Sequence, residues 1–341
     1  MQKINIPVSV IILFISLGLL WSCEKNNQPE DEDDIQTQTI EYWGGSFKMV
    51  YCPGGTFLTN DDDSDTDYED GPEVTVDPFW ISEVEVTNEL LAWIYNCASG
   101  LDLVEGAITG GQPRFDQDDR YAPNYLGENE VRWGDQPLMY MGEHFLGGFY
   151  DIEWNGGFNV LSDRDDLPCS YITWYGAVMA CNWLTEQGVS SGILSKVYSG
   201  IDEEWWANET IFESNKSGFR LPTQAEWECA ARWQGDDDSG DCYEYPAGSG
   251  QFWTRGGSAS GEFSDLNHKQ PVKGNRTPNF LGLYDMTGNA WEWCYDEKDS
   301  WQNRIIRSGD SDVPRISASS YYSADGTASN LGFRLVMSAT K

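Results

Sequence analysis

The chain has 341 residues, with 56 Asp or Glu against 21 Lys or Arg, and a formal net charge of −35 at pH 7. Charge of that sign and size excludes nucleic acid and anionic membrane surfaces as partners, because both would be repelled. Sixteen Trp, 35 Gly and only two His describe a loop-rich, aromatic-packed protein, with little to draw on for a His-rich metal site or a Ser-His-Asp triad.

Lys3 precedes an apolar run from Ile4 to Leu20, about 17 residues and at the short limit for a spanning helix. Leu20-Trp21-Ser22-Cys23 follows. A basic start, an apolar centre and a small residue before the cleavage point predict a secretory signal over 1–22. The ending resembles the bacterial lipobox, which implies that Cys23 is lipidated and becomes the mature N-terminus. The alternative is an N-terminal transmembrane anchor. Residues 23–40 are polar and acidic, without apolar periodicity, and read as a flexible tether ahead of one domain over 41–341. Acidic residues so close to such a Cys resemble the surface-export signals of Bacteroidota lipoproteins, implying an outer-membrane or cell-surface location.

Seven cysteines remain: Cys52, Cys97, Cys169, Cys181, Cys229, Cys242 and Cys294. An exported chain permits disulfides, but an odd number leaves at least one thiol free. With no Cys-x-x-Cys, neither a zinc knuckle nor a thioredoxin-like site is supported.

Met49 to Phe57 reads as a strand broken by Pro53-Gly54-Gly55, Asp61 to Asp70 as an acidic loop, and Glu73 to Glu85 as a strand pair. A helix starts at Thr87-Asn88 and runs through Leu91, Ile94 and Tyr95, with Thr87 as N-cap. Residues 98–166 have little periodicity and read as long embellishing loops. Helical spacing returns from Trp174 to Gln187, ended by Gly188. A third helix follows Thr223, with Glu226 three residues on in a capping-box arrangement, and reaches about Trp233. From Gly235 the chain reads as irregular until a last strand over 332–336. Without βαβ alternation, a doubly wound sheet is excluded.

Four stretches carry a specific likeness. They are PFWISEVEVTN (78–88), GFRLPTQAEWECAAR (218–232), NFLGLYDMTGNAWEW (279–293) and ASNLGFRLV (328–336). In this order they resemble the formylglycine-generating, sulfatase-modifying factor family. The resemblance implies an α+β fold of the elaborated C-type lectin-like kind, loop-rich with little regular secondary structure. Read from the residues alone, Arg220, Glu226 and Glu228 are buried ion-pair and capping groups, Trp227, Trp291 and Trp293 are core, and Arg334 anchors the last strand.

The resemblance also implies a structural calcium site on Asp285, the Gly288 and Ala290 carbonyls and Glu292. Calcium takes six to eight oxygens drawn from carboxylates and carbonyls, which suits such a turn. The family's second calcium site is expected to be shortened or absent. Its oxidase chemistry needs a pair of thiolates to hold copper(I). In the family the pair follows an Arg-Gly-Gly-Ser-like turn. Here the turn is Arg307-Ser308-Gly309-Asp310, the equivalent positions fall near Val313 and Ala318, and residues 295–341 contain no Cys. Copper is therefore not expected, and no catalytic residue is assigned.

Residues 308–330 are small residues, tyrosines and a few charges, the composition of adaptable recognition loops. They lack Lys, Glu, Gln, Met and Trp, the types that adenine mutation of an Asn codon cannot reach. This resembles the variable region of retroelement-diversified lectin-fold proteins; the alternative reading is an ordinary loop of a diverged pseudoenzyme. The expected recognition surface is Asp310, Ser311, Asp312, Arg315, Ser319, Tyr321, Tyr322 and Asp325, taking a surface glycan or protein. A non-catalytic, lipid-anchored binding protein is the leading expectation. An oxidase with relocated metal chemistry and a structural lipoprotein of a gliding or secretion complex are the alternatives.

Overall fold

The structure is a computed structural model and describes residues 35–42, 44–59, 72–100, 128–133, 136–144, 148–189, 194–201, 210–233, 269–274, 278–286, 288–299, 302–308 and 319–339. Strand β1 (Thr37–Tyr42) starts inside the stretch read as tether, because Ile40 is buried and lies opposite Phe47 of β2 (Gly45–Cys52). The Pro-Gly-Gly break holds. Gly54 has φ +73°, and a Cβ there would lie 2.2 Å from the Val76 carbonyl oxygen, so only glycine lets the chain turn into β3 (Gly55–Leu58). The acidic loop expected over 61–70 lies outside the described residues. β4 (Glu73–Val76) and β5 (Phe79–Ser82) form where a strand pair was expected, but they do not pair with each other: β4 pairs with β3 and β5 with β2.

Helix α1 (Asn88–Gly100) is capped by Thr87, whose Oγ1 accepts from the Leu90 amide at 3.2 Å. The segment 98–166 is more regular than its weak periodicity suggested. It contains β6 (Glu128–Trp133), β7 (Gln136–His144), β8 (Gly148–Phe149), β9 (Ile152–Trp154) and β10 (Phe158–Val160). Tertiary packing makes these strands rather than local pattern. Asn96 of α1 ties β10 by donating to the Phe158 carbonyl and accepting its amide, both at 2.8 Å. Helix α2 (Trp174–Val189) runs one residue past Gly188, the expected stop. At its start a Cβ on Gly176 would sit 2.0 Å from the Leu138 carbonyl oxygen, so glycine permits the close crossing of α2 over β7.

Short strands β11 (Tyr198–Ser199), β12 (Ile211–Phe212) and β13 (Phe219–Arg220) lead into α3 (Gln224–Arg232). The capping box is complete: the Thr223 amide donates to Glu226 at 2.8 Å, and the Glu226 amide donates to Thr223 Oγ1 at 3.1 Å. Beyond residue 235, read as irregular, lie β14 (Trp291–Glu297), β15 (Asn303–Arg307), β16 (Ser319–Ser323), β17 (Leu331–Gly332) and β18 (Val336–Ser338). The single closing strand expected over 332–336 is thus two strands joined by Phe333 to Leu335.

The largest sheet is antiparallel in the order β1-β2-β5-β18-β13, and a second runs β16-β15-β14-β17. Alternate residues of the first sheet enter different cores: Met49 and Met337 join the apolar cluster around α1 and α2, while Val50 and Val336 join that around α3. Trp293 and Cys294 of β14 divide the same way. The clusters are clamped by Trp174 Nε1 donating to the Cys294 carbonyl and Trp293 Nε1 donating to the Ile172 carbonyl, each at 3.0 Å. Among the described residues no helix is long and apolar enough to cross a membrane. Since Thr223 holds the first turn of α3, Thr223→Ala should cost about 1 kcal/mol, read as a lower urea midpoint with unchanged slope.

Candidate functional site

Arg334, fully buried, sits where the two sheets meet. Its Nε donates to Glu292 Oε2 at 2.6 Å and its Nη2 to Glu292 Oε1 at 2.7 Å. Its remaining donors reach the Ser82 carbonyl at 3.1 Å and the Tyr284 carbonyl at 3.0 Å. Trp227 Nε1 adds a bond to Glu292 Oε2 at 2.7 Å. Burial lowers the Arg334 pKa, but Glu292 outweighs it and the guanidinium is held above its usual range.

This arrangement surrounds the expected calcium set. Asp285, Gly288 and Ala290 do lie on one turn, with Asp285 at φ +60° and Gly288 at φ +99°. Glu292 accepts two bonds from Arg334 and one from Trp227. The Gly288 carbonyl already accepts from Ser308 Oγ and from the Ala290 amide, each at 2.8 Å. Among the described residues no three His, Cys, Asp or Glu groups converge as metal ligands.

The residue that the sequence reading passed over is Glu85. It is buried, accepts from Asn289 Nδ2 at 3.0 Å on Oε1, and has no hydrogen-bond partner on Oε2. Burial first, then the neighbouring Asp285 carboxylate, push its pKa well above the ordinary carboxylate value, against the pull of Arg334. The available signal was a carboxylate set between Val84 and Val86 at the end of an apolar strand.

Of the expected recognition residues, Asp310, Ser311, Asp312 and Arg315 lie outside the described residues, as do Val313, Ala318 and the lipidation candidate Cys23. Ser319, Tyr321 and Tyr322 form β16, an edge strand exposed along its length, and Asp325 follows in the next turn. Tyr321 is 52 % exposed and Tyr322 39 %. Strand alternation puts the two rings on opposite faces of β16. Tyr322 leans on Trp293 at 6.3 Å between ring centroids and lies over Gly326, where a Cβ would come within 2.5 Å of its ring.

The thiols are elsewhere. Cys52, Cys97, Cys169, Cys181 and Cys294 are free, all buried except the half-buried Cys97. Burial raises the pKa of Cys97 to about 11 and of Cys52 and Cys169 to about 12, and raises those of Cys181 and Cys294 as well. Cys229 is in a disulfide.

Three helices, many short strands and two sheets locked by a buried Arg-Glu pair define a loop-rich α+β scaffold of the formylglycine-generating-enzyme kind. The sulfatase-modifying factor enzyme 1-like domain matches residues 44–339, and the chain belongs to that family. It is 27 % identical over 263 residues to a formylglycine-generating enzyme of Thermomonospora curvata, covering 73 % of this chain and 71 % of the relative. It is 26 % identical over 312 residues to the inactive C-alpha-formylglycine-generating enzyme 2 of Mus musculus, covering 85 % and 86 %. Treponema denticola variable protein 1 shares the fold, with a TM-score of 0.55, 22 % identity and coverage of 89 % of this chain and 99 % of that one.

Glu85 gives the site a pH signature. Because its folded pKa is raised, its contribution to stability is complete below the unfolded carboxylate pKa and is lost as pH rises through the folded one. Between pH 5 and pH 8, wild type should lose stability relative to Glu85→Gln, measured by urea unfolding. Millimolar calcium should raise the wild-type melting temperature, and no rise, or one that Asp285→Ala leaves intact, would remove the calcium site.

Proposed function

We propose that this chain is a non-catalytic, ligand-binding member of its family, exported and held at the cell envelope by a lipid on Cys23. The observation that carries the loss of chemistry is the absence of cysteine from residues 295–341, the stretch that would supply the copper-binding thiolates. The free thiols elsewhere do not substitute. They are buried or half-buried with raised pKa values, so they stay protonated at neutral pH and are poor copper ligands and poor nucleophiles. The Mus musculus relative, named as inactive, supports the same reading.

Binding rests on β16. Its five residues are exposed, and large flat side chains on a Ser background resemble the anchors that dominate adaptable recognition surfaces. The ligand class is a surface glycan or a protein, met by Tyr321 with Ser319 and Asp325 around it. Tyr322 shapes the face through Trp293 and Gly326. The masking of membrane charge is not required, since the lipid alone would hold so acidic a chain at the bilayer.

Copper-loaded protein incubated with a sulfatase-type Cys-x-Pro-x-Arg peptide should yield no aldehyde by mass spectrometry, and copper-dependent aldehyde would overturn the non-catalytic reading. For anchoring, Cys23→Ala should move the protein from the membrane fraction to a soluble or uncleaved form. Unchanged membrane partitioning with cleavage at another position would remove the lipid.

A further inference from the structure

A groove of 810 Å³ is lined by residues of β2, β13 and β18 of the larger sheet, and none of its lining residues belongs to β14, β15, β16 or β17. Its walls are the turn 213–217 on one side and the end of β4 with Asp77 and Pro78 on the other. Tyr51 of β2, Phe212 of β12 and the start of α3 complete it. The size falls within the roughly 300–1,000 Å³ of small-ligand sites.

The chemistry of the lining selects the ligand. The floor carries the Arg220–Glu226 pair, two bonds of 2.6 Å each, with the Arg220 guanidinium over the Phe212 ring at 5.1 Å. On the rim, Lys216 and Glu213 are 3.6 Å apart. Both cations are therefore neutralised within the protein, which disfavours an anionic ligand, and both paired acids are equally unavailable to a cation. What remains is the Asp77 carboxylate, which repels anions and accepts from hydroxyls, with neutral polar groups: Asn215 and Ser214 on an exposed turn and the half-buried Tyr51 ring, set edge-on to Trp80 at 5.3 Å. Amides and hydroxyls both donate and accept, and the negative face of an aromatic ring attracts weakly positive C–H groups. A ligand that presents hydroxyls at its edge and C–H groups on its face satisfies both.

We propose that this groove binds a neutral saccharide of two sugar units, at a site independent of the β16 face. Asn215 supplies the directional hydrogen bonds and Tyr51 the platform. The test is saturation-transfer NMR on the purified protein with cellobiose, maltose and N,N′-diacetylchitobiose, and with a hyaluronan disaccharide as the anionic comparator. At least one neutral disaccharide should show transfer, and Kd should weaken at least fivefold in Asn215→Ala and in Tyr51→Ala. Asn215 is exposed on a turn, so its variant keeps the wild-type melting temperature and decides the matter even if Tyr51→Ala is unstable. Tyr321→Ala/Tyr322→Ala should bind as wild type. Silence from all three neutral sugars, equal response to the anionic one, undiminished binding by Asn215→Ala, or loss in the double tyrosine variant would each overturn the assignment.

Discussion

The buried ion pair between Arg334 and Glu292 is the contact on which the rest of the molecule depends. One guanidinium reaches a carboxylate on β14, a carbonyl at the end of β5 and another on the loop that leads to residue 285. Through Trp227, the same carboxylate fixes α3. Four segments distant in sequence thus share one charge pair between two cores. Such a pair adds little to stability compared with an apolar replacement, but removing one partner strands a buried charge and costs about 3–5 kcal/mol. Its role is to set geometry, because four guanidinium bonds reach Glu292, Ser82 and Tyr284 at once.

That role also explains where the sequence could be read and where it could not. Caps are local, so Thr87 and Thr223 marked their helices, and the Thr223–Glu226 reciprocity needed only residues three apart. The partner of Glu292 could not be read because it lies 42 residues away, and nothing in the turn itself shows that Arg334 bonds both oxygens. The strands between 128 and 160 have too few alternating residues to announce themselves and exist because α1 and α2 offer them a surface. Once β16 is known as a strand, the opposed faces of Tyr321 and Tyr322 follow from its period of two. The composition alone suggested a single patch.

The described free thiols lie buried or half-buried in this scaffold, where desolvation holds the proton on. Cys294 shows this: one residue along β14 from Trp293, it faces the α3 core and is fully enclosed. Near the positions the chemistry would occupy, the described chain instead presents an exposed edge strand of serines and tyrosines. An edge of that kind has no need of redox partners, and its side chains can vary without disturbing Arg334.

The central claim is that no two of the described free cysteines form a reactive thiol pair in the folded protein. A brief iodoacetamide pulse at neutral pH, mapped by mass spectrometry, measures this at each cysteine. The account predicts that Cys52, Cys97, Cys169, Cys181 and Cys294 remain unmodified in the native protein and are all labelled in urea. Rapid labelling of any two of them in the native state would contradict it.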